Sequence, residues 1–237
     1  MFHLNKRKKA FPFASFDNLY ILTKDTKRLI NLENWFDGLE NSLSLFIDKV
    51  SLHEKQVFKN RGHLNKLMMG LISFQFRSRY FFEIGIDYFA KNAELLKDFN
   101  NKTSLQIVLE NVINATTDLT QQAYPVDLTI WQTSTPLLLC DRPLIFKKAD
   151  GYSFIPLTPY IFLSFVKTSG ESTIDYQIDE KNFASMINKE ILENARDWVI
   201  SIEESELKKI AANHSFNHFD DQVVIEEFKT LISGYEY

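Results

Sequence analysis

One cysteine, six prolines and seven glycines in 237 residues leave little of the usual material of loop-rich folds. A single thiol, Cys140, excludes an intramolecular disulfide framework and any zinc cluster built on several cysteines. Scarce glycine and proline disfavour a sandwich with many tight turns. No apolar run approaches the roughly 20 residues of a membrane-spanning helix, so no membrane partner is expected. The opening run Lys6, Arg7, Lys8, Lys9 has no long apolar segment behind it. It reads as a solvated, frayed terminus and not as a secretory signal. Basic charge is not in excess either. A net charge of -4 gives no general case for nucleic-acid binding, although a local basic patch would still serve. Glycine-rich phosphate loops and dinucleotide fingerprints are absent. These absences fit a reducing cytoplasm.

What the chain has in quantity is apolar surface. Hydrophobic residues make up 45% of it, and 21 are Phe. That is enough for a sizeable core and favours long regular elements. Between residues 32 and 50 the apolar positions Leu32, Phe36, Leu39, Leu43, Phe46 and Val50 are spaced four, three, four, three, four. This spacing predicts a helix with one continuous apolar stripe, with Asp25 or Thr26 as its cap. Further helices are predicted over 61–79, about 80–99 and 103–122. Tyr124-Pro125 then breaks the pattern. Alternation over 127–133, the apolar run 136–140, and the segments 144–146, 152–155 and 160–166 read as strands, with Asp150-Gly151 as a hairpin signal. Helices are expected again over 179–201, 203–212 and 222–232. Glu203, Glu204 and Glu206 form an acidic first turn, which the helix dipole favours. The fold class expected is therefore α+β. A helical layer of about four helices (26–123) precedes a small central antiparallel sheet (127–166) and C-terminal helices (179–232), all in one domain.

Few residues carry chemistry. Asp141 follows a buried apolar run and precedes Pro143, so its carboxylate stands at a strand end. It is the candidate catalytic residue, as general base or metal ligand, set against a plain Asx turn. Gln75, Arg77 and Arg79 end an apolar helix and would suit an anionic ligand, because a guanidinium offers a planar two-donor fork. Structural ties to carboxylates or helix-end carbonyls are the competing reading. Asn188 and Arg196 are eight apart on one expected helix and complete the set of ligand-binding candidates. Asn188 could equally hold the Asp141 turn by a structural hydrogen bond. His214 and His218 are four apart, yet the surrounding Asn and Asp residues suit a polar connection, so they are weak metal candidates. Cys140 has no nearby base and reads as an inert, buried thiol. The expectation with most structural content is that Arg77, Arg79, Asp141 and Asn188 approach one another. No cofactor is indicated.

The order of short motifs resembles a known family. Trp35-Phe36-Asp37-Gly38-Leu39-Glu40 is followed by Gln75–Arg79, Trp131, Asp141–Pro143 and Pro156-Leu157-Thr158-Pro159. Ile187-Asn188, Ala195-Arg196 and Ser201 complete it. Together, over about residues 11–201, they resemble the bacterial domain of unknown function 4238. That resemblance implies a Ser-Asp-x-Pro step, a Pro-Leu-Ser-Pro-like step and a late Asn-bearing helix. Here Cys140 replaces the Ser, the Gln-to-Arg spacing differs, and the family's opening His-x-x-Pro segment has no counterpart. The resemblance names no activity. Three functions therefore stay open: a ligand- or nucleic-acid-engaging component of phage defence or a similar conflict system, a structural or interaction module acting as a homo-oligomer or with a protein partner, and a metal-assisted hydrolase centred on Asp141. The defence setting comes from the family comparison and not from any residue.

Overall fold

The computed structural model describes residues 2–5, 21–24, 27–51, 61–74, 76, 79–97, 102–123, 125–147, 152–195 and 198–213. The chain begins with β1 (Phe2–Asn5) and an antiparallel pair, β2 (Ile21–Lys24) and β3 (Lys27–Asn31). Helix α1 (Leu32–Ser51) follows β3 directly. Asp25 and Thr26, the expected cap, lie outside the described residues. The four-three stripe behaves as its spacing predicts. Phe36, Leu39, Leu43, Phe46 and Val50 are buried, while Asp37, Glu40 and Asp48 face solvent.

Three more helices follow: α2 (Arg61–Ser73), α3 (Arg79–Lys91) and α4 (Ser104–Ala123). Helix α2 stops earlier than the apolar pattern suggests. Ser73 turns its hydroxyl back to donate to the Gly70 carbonyl at 2.7 Å, and Phe74 N donates to Leu71 O in a tighter turn at 3.3 Å. Helix α4 is capped by Thr103, whose hydroxyl accepts from Gln106 N at 3.2 Å. The helices pack around buried Leu67, Met68, Phe82, Phe89, Val108 and Leu109.

The sheet contains β4 (Val126–Gln132), β6 (Ile145–Lys147), β7 (Tyr152–Thr158), β8 (Ile161–Lys167) and β9 (Ile174–Ile178). Their order is β6-β7-β8-β4-β9. The fold is α+β, as expected, but the sheet is mixed and not wholly antiparallel. β4 runs antiparallel to β8 and parallel to β9. The cause lies in residues 168–173, which step over the start of β4 and place β9 on its far side. Thr168 N donates to Pro125 O at 2.9 Å, and Val126 N donates to the Ser172 hydroxyl at 2.9 Å. Asp127 accepts from both the amide (3.1 Å) and the hydroxyl (2.7 Å) of Thr173.

A second sheet joins distant parts of the chain in the order β1-β10-β5, where β5 is Leu139–Cys140 and β10 is Trp198–Ser201. It overturns the single helix expected over 179–201. Helix α5 spans only Phe183–Asn194, and Ala195 is extended at φ -68, ψ 134. The β-branched pair Val199-Ile200 then pairs with β1 and β5. Helix α6 (Glu204–Asn213) follows. α5 and α6 cover a second buried cluster that includes Leu137, Cys140, Phe162, Ile187, Ile191 and Val199.

Candidate functional site

The expected strand over 136–140 pairs only at Leu139 and Cys140. The preceding residues are held extended by other means. Leu137 N donates to Pro159 O at 2.8 Å. Asn188, from α5, donates from its Nδ2 to Pro136 O at 2.8 Å and accepts from Leu138 N on its Oδ1 at 2.8 Å. One carboxamide thus satisfies an acceptor and a donor that no neighbouring strand reaches. Past the Asp141 turn, Asn194 Nδ2 donates to Arg142 O and, at 3.4 Å, to Leu144 O. Two asparagines on one helix therefore grip both flanks of the Asp141 turn. The helix is itself anchored at its start, where Asp179 accepts from Phe183 N at 2.7 Å and from Ala184 N at 2.8 Å.

Asp141 opens onto a cavity of about 490 Å³. One side is formed by Leu43 and Ile47 of α1, with Phe74 just beyond α2. The other sides are 137–141, the Pro156–Pro159 step, and Trp198, Ile200, Ser201 and Ile202. The cavity lies where the two hydrophobic clusters meet, since Leu43 and Ile155 belong to one and Leu137, Leu138 and Cys140 to the other. Strand alternation explains its facing. Val199 is opposite Cys140, and both point into the cluster under α5 and α6. Their neighbours Leu139, Trp198 and Ile200 turn to the opposite face and line the cavity, where Cys140 and, just past β5, Asp141 join them.

Two hydroxyls of the lining are tied to the backbone around them. The Thr158 hydroxyl accepts from Tyr160 N at 3.3 Å. The Ser201 hydroxyl accepts from Glu203 N at 3.0 Å and donates to Glu206 Oε2 at 3.0 Å, which ties it to the start of α6. Burial pushes the Cys140 thiol well above its ordinary pKa, and the adjacent Asp141 charge adds to this. That thiol is kept protonated and is a poor nucleophile.

The sequence candidates fare unequally. Asp141 lines the cavity. Asn188 is buried behind the wall and holds it in place, with its carboxamide occupied by backbone. Arg79 opens α3, and Phe74, just before Gln75, reaches the cavity. Gln75, Arg77, Arg196, His214 and His218 lie outside the described residues, and so does the side chain of Arg79. Helix α5, which carries Asn188, ends at Asn194. Trp131, prominent in the sequence, is scaffold. Its ring stacks on Phe162 (5.7 Å, 5°) and meets Phe183 edge-on (5.4 Å, 79°), and its Nε1 donates to the Ser164 hydroxyl at 2.9 Å. Trp198 and Asn194 escaped sequence reading. A Trp heading a β-branched run was the available signal for Trp198; Asn194 had none. Among the described residues, no three His, Cys, Asp or Glu side chains group as metal ligands, and no helix is long and apolar enough to cross a membrane.

A family model described as a protein of unknown function (DUF4238) matches residues 13–205. The chain belongs to this family. The match takes in the cavity's sequence steps: Asp141–Pro143, Pro156–Pro159 and Ser201. The family description names no activity, so the reading of this DUF4238 chain rests on the cavity itself. No curated protein and no solved structure matches it.

Proposed function

We propose that this DUF4238 chain is a ligand-engaging protein whose binding site is the cleft beside Asp141. The observation behind this is the cavity of about 490 Å³ into which separate sequence motifs converge. Its size falls within the roughly 300–1,000 Å³ of small-molecule sites, and its walls are mostly apolar with few polar groups, as such sites are. A nucleic acid fits less well. Among the described lining residues there is no Lys or Arg to offset phosphate charge. The same lack argues against an anionic ligand here. Neither the Ser201 hydroxyl, tied to Glu203 and Glu206, nor the Cys140 thiol, held protonated, is set up as a nucleophile for hydrolysis. The wider setting, a cytoplasmic bacterial conflict system such as phage defence, draws no support from the cleft. Plaque counts on cells with and without the chain test that setting.

The binding proposal is tested by filling the cleft. Leu157, half-buried on its wall, is replaced by Trp, and saturable binding of the neutral dye Nile red is followed by fluorescence. Leu157→Trp should weaken binding by roughly tenfold or more with the fold intact by circular dichroism. Unchanged dye affinity in a folded variant would place the dye elsewhere and remove the support for this site.

A further inference from the structure

The wall of the cleft uses its hydrogen-bonding groups internally. Leu137 N donates to Pro159 O at 2.8 Å, and Leu138 N donates to Asn188 Oδ1 at 2.8 Å. Leu139 and Ile200 are opposed in the β5–β10 pairing. Three lining residues, Pro143, Pro156 and Pro159, have no N–H to offer. The Thr158 hydroxyl accepts from Tyr160 N, and the Ser201 hydroxyl is held by Glu203 and Glu206. Asp141 and Trp198 each already interact within the chain. Among the described residues, no Lys, Arg, His, Asn or Gln lines the cleft. What faces the space of about 490 Å³ is therefore mainly branched aliphatic carbon, from Leu43, Ile47, Leu139, Leu157 and Ile200 among others. Water in such a space finds fewer than the roughly three hydrogen bonds that hold an ordered buried water. An apolar body that displaces it gains with each methylene it buries. A charged or many-hydroxyl ligand gives up its own hydration there and meets few groups that replace it.

We propose that the cleft takes a neutral molecule with an aliphatic body, selected by the apolar area it buries and not by a polar head group. This inference rests on the cleft being a binding site, and it names the ligand class.

The test is isothermal titration of the full chain at pH 7 with two sets of probes. Butan-1-ol, hexan-1-ol and octan-1-ol vary the apolar body under one head group. Hexane-1,6-diol, hexanoate and hexylammonium keep the six-carbon body and add a polar end or a charge. Each added pair of methylenes should tighten binding roughly tenfold. The diol and both charged probes should bind roughly tenfold or more weakly than hexan-1-ol. The heat of hexan-1-ol binding should grow more negative as temperature rises, the mark of apolar burial. Leu157→Trp should weaken hexan-1-ol roughly tenfold or more, which ties the binding to the cleft; Leu139→Phe decides the matter if Leu157→Trp does not fold. Suppose the cleft variant loses binding, yet affinity does not rise with chain length, or the diol or a charged probe binds as tightly as hexan-1-ol. Then the neutral aliphatic class is overturned while the cleft remains a binding site. If no probe binds, or if the folded cleft variant binds hexan-1-ol as the parent does, both proposals fall.

Discussion

Asn188 bridges a gap that backbone pairing leaves open. Leu138 N and Pro136 O lie ahead of the two paired residues of β5, and one carboxamide answers both at 2.8 Å. Replacing it with Leu keeps the volume and removes both partners. Leaving buried backbone groups unsatisfied costs about 1–3 kcal/mol apiece, so Asn188→Leu should lower stability by about 2–3 kcal/mol in urea denaturation. A change under about 0.5 kcal/mol would show that water replaces the clamp at no cost. From sequence, Asn188 could be singled out as an inward-facing polar residue, but not what it would touch. Its partners are about 50 residues away and are main-chain atoms, which leave no pattern in side-chain identity. Asp141 was legible for a better reason. An acidic residue closing an apolar run is a local signal, and its place on the cleft follows from strand alternation.

Elements were legible in proportion to how local their causes are. The α1 stripe depends on residues within a turn or two and forms where its spacing puts it, whereas α2 and α5 stop short of the expected ranges. Strand β10 was absorbed into an apparent helix because its apolar residues continue the α5 spacing by chance. Its pairing with β1 lies nearly 200 residues away in sequence. Strand β9 was missed because its side chains are half-buried at best, and Ile178 is 71% exposed. Its outer edge among the described strands is partly covered from within: Tyr176 N donates to Asp175 Oδ1 at 2.8 Å, and Glu180 N donates to Ile178 O at 2.9 Å. The step that delivers β9 is tied by Asp127. Its carboxyl pKa is held below the ordinary carboxylate value, chiefly by the Thr173 hydroxyl bond. A carboxyl whose folded pKa lies below its unfolded one stabilises the fold above the unfolded value. That contribution fades as pH falls through the lowered folded value. Asp127→Asn should therefore melt lower than the parent at pH 7, and the difference should shrink below about pH 4. A difference that persists undiminished at pH 2 would mean that the charge plays no part.

At the scale of the whole molecule, the cleft exists because two clusters meet without merging. The helical layer with β4, β7 and β8 forms one; α5 and α6 over β5 and β10 form the other. No stretch of sequence announces such a seam. Its walls come from α1, the end of α2, β5, β7 and β10, elements spread over most of the chain. What the sequence did carry was the steps at Asp141–Pro143 and Pro156–Pro159, and the structure brings both to one cavity. The most direct test of that cavity as a binding site is a backbone-amide NMR map of the ¹⁵N-labelled chain titrated with hexan-1-ol, whose neutral head leaves the question of charge aside. Saturable shifts should gather at Leu139, Asp141, Leu157, Trp198 and Ile200, while Ile174 and Tyr176 on the far sheet edge stay still. Shifts that gather at that edge, or none that saturate, would contradict the assignment of the cleft.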